Sequence, residues 1–149
     1  MKRLNLSILL GLFVLTSCVP ATEQLPVAPA PVFYQGAQEQ VYEAVLQTIS
    51  ASPGVPAYNP GGIDGYERGP SGPWMITSSN PPQSVSAQTE SSASGFLGSN
   101  AEPDVHEIDV RLSGAGERGT RVSVQGTPQA QGLAERIYAE LDEGFGRLE

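Results

Sequence analysis

This sequence is short of the residues that most often carry chemistry. It has one cysteine, one histidine, one tryptophan and, after Lys2, no further lysine. A single cysteine cannot form a disulfide within the chain, and one Cys with one His cannot build a zinc site from those ligands. No serine sits in a Gly-x-Ser-x-Gly setting. Gly61-Gly62 and Gly114-x-Gly116 lack the strand–glycine–helix context and the lysine of a phosphate-binding loop. Asp64 and Glu67 stand without the alternating oxygen ligands and closing Glu of a calcium loop. No catalytic residue, metal ligand or cofactor is therefore expected, and the chain reads as a non-enzyme. Basic residues are scarce as well: 8 Lys+Arg face 16 Asp+Glu, for a formal charge of −8. Such a surface is repelled by phosphate backbones, which excludes nucleic acid as the expected partner. The 17 glycines and 13 prolines in 149 residues imply long loops and a linker.

The amino terminus reads as an address. Lys2 and Arg3 precede an apolar stretch from Leu4 to Leu15. That stretch is too short for a bilayer core, which takes about 20 residues, but it has the form of a secretory signal. It ends in Leu15-Thr16-Ser17-Cys18. This resembles a bacterial lipobox, an aliphatic residue and two small ones before Cys. The resemblance implies cleavage before Cys18 and acylation of its thiol and new amino terminus. Each buried methylene contributes about 0.8 kcal/mol, and two or more chains hold stably. The expected partner is thus the membrane, through the lipid on Cys18. Val19 in place of Asp points to the outer rather than the inner membrane of the cell envelope. Cleavage would leave six arginines against 16 acidic residues, a side-chain charge of −10. Residues 1–17 are read as signal peptide. Residues 18–31, with four prolines in VPATEQLPVAPAP, are read as lipidated Cys and extended spacer. Residues 32–149 are read as one domain.

Within the domain, Ala37, Val41, Ala44, Val45 and Ile49 recur at helical spacing, which predicts a helix over 36–50 closed by Pro53-Gly54. Residues 55–73 are rich in turn formers, with a short extended piece near 63–67. Residues 74–79 predict a strand with Trp74 and Ile76 on one face. Residues 84–90 alternate, with Val85, Ala87 and Thr89 aligned, and 91–104 reads as a loop. Residues 105–112 predict a strand with Ile108, Val110 and Leu112 inward. Residues 120–125 return as its hairpin partner after a turn at 113–119. Keeping both faces aligned permits Asp109 or Arg111 opposite Arg121; the first avoids facing like charges. Thr127-Pro128 predicts a helix start, and a stripe runs from Ala130 through Leu133, Ile137 and Leu141 to Phe145 and Leu148. Glu143 and Arg147 form an i,i+4 pair.

Helix, strand, strand, hairpin, helix implies an α+β two-layer sandwich. Its antiparallel sheet of three to four strands is expected to be covered on one face by an N-terminal and a C-terminal helix. The helix VYEAVLQTI, the Trp-x-Ile-Thr-Ser-Ser strand and the T-R-V-x-V strand before a closing helix resemble domains of BamC-like envelope lipoproteins. The resemblance implies an accessory role in envelope assembly.

On these readings the chain is a lipid-anchored interaction module. Its polar sheet face, with Glu107, Asp109, Arg111 and Arg121, would meet an envelope protein. The alternative is a small-ligand binder whose pocket lies near Trp74 and Phe96, between the loops 55–73 and 91–104. His106 shares the inward parity of Ile108 and is read as a histidine closing the core edge rather than as a base or ligand.

Overall fold

The computed structural model describes residues 30–58, 67–94 and 102–148. Residues 1–29, which hold the expected signal peptide, Cys18 and most of the expected spacer, lie outside the described residues, as do Asp64 and Phe96.

The elements run β1 (Val32–Tyr34), α1 (Gln38–Ala51), β2 (Glu67–Ser71), β3 (Met75–Asn80), β4 (Ser84–Ser94), β5 (Asp104–Gly114), β6 (Thr120–Gly126), α2 (Gln131–Gly144) and β7 (Arg147–Leu148). Single 3₁₀ turns sit at Gly116–Arg118 and Pro128–Ala130. The expected sandwich with three or four strands is overturned. Among the described residues, seven strands, all antiparallel, form one curled half-barrel sheet, accompanied by two helices. The order is β2-β4-β5-β6-β1-β7, with β3 on the same side of β4 as β2. The extra strands are short. β1 has three residues, β7 has two, and β2 contains Gly69 and Pro70. None is long enough, or alternates enough, to show a period of two.

The β2 and β3 pairings divide β4 between them: Glu67–Ser71 pairs with its end at Ser91–Ser94, and Met75–Asn80 pairs with Ser84–Gln88. Gly72-Pro73-Trp74 is the break between two halves of one edge. Trp74 is buried at 6% exposure but precedes the strand, whereas all six β3 residues are exposed, Ile76 at 41%. The expected placement of Trp74 and Ile76 on one strand face is therefore corrected. The loop expected from Ser91 is also corrected, since β4 continues to Ser94 and β5 starts at Asp104.

The core joins the inward residues of the sheet to those of the helices. Val85 and Ala87 of β4, Ile108, Val110 and Leu112 of β5, and Val122 and Val124 of β6 pack with Val41, Val45 and Ile49 of α1 and Leu133, Ile137 and Leu141 of α2. Ala37 precedes α1 and is exposed, while Tyr42 is buried in its place. Gln38 anchors the start of α1 to the sheet. Its Nε2 donates to the carbonyls of Leu112 and Pro82 at 3.1 Å each, and its Oε1 accepts from Gly114 N–H at 3.0 Å. The helix expected to reach Leu148 stops at Gly144, and the chain turns back so that Leu148 pairs with Phe33. Arg147 then meets Asp142 at 3.9 Å, not Glu143.

The β5–β6 hairpin adopts neither expected register. Arg121 faces Ser113, Arg111 faces Ser123 and Asp109 faces Gln125. The strands run on to the Gly114–Thr120 pair, so the turn shrinks to residues 115–119, closed by Ala115 N–H donating to Gly119 O at 2.7 Å. Gly119 has φ 75°, and a Cβ there would lie 2.1 Å from the Tyr34 carbonyl oxygen. Only glycine permits that turn against β1.

Candidate functional site

The sheet face away from the helices is built in cross-strand rows. One row holds Met75, Gln88 and Glu107. The next holds Ser78, Ser86, Asp109 and Gln125, and a third Asn80, Ser84, Arg111 and Ser123. Side chains alternate across a strand, so the same pairing that sends Val85, Ala87 and Val110 inward sends these outward. Of the four residues expected to form the interaction face, Glu107, Arg111 and Arg121 are exposed and Asp109 is half-buried. The structure brings Asp109 and Arg111 together: Arg111 Nε donates to Asp109 Oδ2 at 2.8 Å, and Ser86 Oγ donates to Asp109 Oδ1 at 3.0 Å. Arg121 is one diagonal step from Arg111 and makes no ion pair with any described residue. A groove of about 630 Å³ runs here, lined among others by Asn80, Gln83, Arg111, Arg121, Ser123 and Gln125.

Trp74 does border a cavity, of about 470 Å³, with Ser52, Val55, Pro70, Leu133 and Arg136. Its ring is mostly packed into the core, so it forms a wall rather than an exposed platform. The other residue expected at that pocket, Phe96, is outside the described residues. A larger cavity of about 850 Å³, not anticipated from the sequence, lies along α2 and is lined by Val32, Val124, Ala134, Tyr138, Asp142 and Arg147. Burial raises the Tyr138 phenol pKa. Burial, reinforced by the nearby Asp142 carboxylate, raises that of Tyr34.

His106 is the centre of a polar cluster that the sequence reading missed. It is 2% exposed, and its Nε2 lies 2.9 Å from the Oγ of fully buried Ser91. Tyr58 packs its ring edge against the imidazole at 5.8 Å and donates its hydroxyl to Asp104 Oδ2 at 2.7 Å. Arg68 Nε approaches the same oxygen at 2.8 Å. Burial lowers the His106 pKa; Asp104 opposes this and Arg68 adds to it. Burial and the Asp104 hydrogen bond push the Tyr58 phenol up to about 12. The signal for this cluster was the alternation itself: continued from Val85, Ala87 and Thr89 it reaches Ser91, and run back from Ile108 it reaches His106 and Asp104. The loop expected over 91–104 leaves Ser91 and Asp104 off that pattern, while His106 already shares it.

Among the described residues no group of three or more His, Cys, Asp or Glu is placed to hold a metal ion, and no helix is long and apolar enough to cross a membrane. No protein-family model matches the sequence, and no curated protein matches it.

Proposed function

We propose that this chain is a lipid-anchored, non-catalytic lipoprotein of the cell envelope, held in the outer membrane through Cys18, that docks a protein partner on the outer face of its sheet. The lipobox and the resemblance to BamC-like lipoproteins support the placement. The observation that carries the docking reading is the open face itself. Three rows of side chains, polar except for Met75, flank a groove with two arginines, in a chain whose net charge is −8. The Ser91–His106 pair does not argue for catalysis, because neither side chain reaches solvent where a substrate would meet it.

The test is a photo-cross-linker placed at Gln125, which is exposed and lines the groove. Expressed in its native cell and irradiated, the protein should form one adduct with an envelope protein, weakened by the R111E/R121E variant. Adducts no more abundant than those from a linker at Glu140, exposed on α2, would overturn the docking reading. Mass spectrometry of the native protein checks the anchor: an unmodified Cys18 thiol or an intact Met1 would overturn the placement.

The cavity beside Trp74 supports a second reading, a small-ligand binder. Trp74 is the only tryptophan, so a ligand entering there shifts an unmixed fluorescence signal. A flat response across lipids, glycans and metal ions removes that reading.

A further inference from the structure

We infer that the partner presents an extended acidic segment to the outer face, with two carboxylates spaced i,i+2 that meet Arg111 and Arg121. This rests on the docking reading above and gives the partner its chemistry. Arg111 faces Ser123 and Arg121 faces Ser113, so the two arginines are diagonal neighbours across β5 and β6. Diagonal neighbours in an antiparallel pair are about 7–8 Å apart. An extended chain rises about 3.3 Å per residue, so its same-side residues repeat every ~6.6 Å. At the level of the backbone, an Asp or Glu at every second position therefore matches the spacing of the two arginine positions, and the long side chains close the remaining difference, whereas adjacent acids point to opposite sides.

The groove's remaining chemistry fits the same guest. Asn80, Gln83, Ser84, Ser123 and Gln125 are neutral donors and acceptors suited to a main chain. The one carboxylate lining the groove, Asp109, already has one oxygen on Ser86 and the other on Arg111. Among the described residues Arg111 is held through Nε alone, and at 71% side-chain exposure its guanidinium remains open to a guest. Planar guanidinium groups of this kind take carboxylates in two-pronged fashion. The acidic residues elsewhere on the chain weigh little, because the Debye length at physiological ionic strength is ~8 Å. An anionic membrane is the poorer match: lipid-binding patches gather about 4–8 cations, and this groove has two, with Glu107 on the same face.

The experiment uses the full purified chain and a labelled synthetic peptide of alternating Ser and Glu, followed by fluorescence anisotropy. Binding should saturate, weaken as salt rises, fall at least about tenfold with Arg121→Gln and further with R111Q/R121Q, in line with the strength of charge-assisted pairs. A peptide with Gln for Glu should not bind. Equal binding by the double variant would overturn the inference. So would the absence of peptide binding together with Arg121-dependent capture on phosphatidylglycerol vesicles. If the peptide fails while the Gln125 cross-link still captures a partner, the acidic segment is discarded and the docking reading stands. If the cross-link also fails, both fall.

Discussion

The hydroxyl of Ser91 and the Nε2 of His106 sit 2.9 Å apart, in a place that water does not reach. They come from neighbouring strands, β4 and β5, where the polar end of the sheet continues the inward face of an apolar core. Removing one partner strands the other, and a buried polar group without a partner costs about 1–3 kcal/mol. Ser91→Ala should therefore lower stability by about that amount in urea unfolding. A loss within experimental error would show that the imidazole finds another partner.

His106 also makes stability depend on pH. Its pKa is lower in the folded chain than the ordinary value of 6.5, chiefly through burial. Below 6.5 the unfolded chain takes up a proton that the folded chain refuses, so stability falls as pH drops from there toward the folded pKa. Asp104 pulls against this shift and Arg68 reinforces it. Between about pH 7.5 and about pH 5.5, the His106→Gln variant should show a shallower loss than the parent chain. Parallel curves would place the histidine's titration elsewhere.

Tyr58 ties the chain after α1 to the start of β5 through its 2.7 Å bond to Asp104, an oxygen that Arg68 also approaches. Tyr58→Phe keeps the ring against His106 and removes only the hydroxyl. Because the acceptor is a carboxylate, the expected cost is about 1.5–3 kcal/mol. The same substitution should increase hydrogen exchange at the Tyr58 and Arg68 amides, which bond each other's carbonyls at 3.0 Å. Unchanged exchange would mean that the backbone bridge holds without the side chain.

Gly119→Ala combines a positive φ with a contact no side chain can make, since the obstacle is the backbone of β1 rather than a flexible side chain. The loss should exceed about 1 kcal/mol, the usual scale of strain at such positions. Gly132→Ala is the control: a Cβ there meets nothing within 4 Å, and helix propensity favours alanine by up to about 0.8–1.0 kcal/mol, less at this first-turn position than in a helix interior. The two substitutions should move the unfolding midpoint in opposite directions.

Ile137 is fully buried between α2 and the sheet, and Ile137→Ala should cost about 2–5 kcal/mol. Trp74 reports each of these transitions. Its emission should lie to the blue in the folded chain and move to the red on unfolding, because its buried ring is the only indole present.

The long elements were legible because their patterns are long. Val41, Val45 and Ile49 mark α1, and Ile108, Val110 and Leu112 mark the inward face of β5; all six are buried. The exposed face was legible for the same reason, since parity fixes which side Glu107, Arg111 and Arg121 take. The size of the sheet was not legible. Val32–Tyr34 and Arg147–Leu148 become strands only because each finds an edge to pair with, a tertiary effect that local pattern does not encode. The hairpin register is not legible from a single charge pair. The turn glycine at 119 and the packing of β1 against it set the outcome. Ser91 is hidden in the sequence because a run of small polar residues reads as a loop, although its parity matches the core.

The short first strand has hydrogen-bonded neighbours on both sides, β6 along one edge and β7 along the other. A pull on the polypeptide ahead of Val32 therefore loads two ladders at once, and Gln35 N–H to Gly146 O at 2.8 Å adds a further rung. A domain dragged by its leading end is thereby clamped by its own trailing end, and mechanical tension must strip both seams to draw the fully buried Tyr34 out of the core.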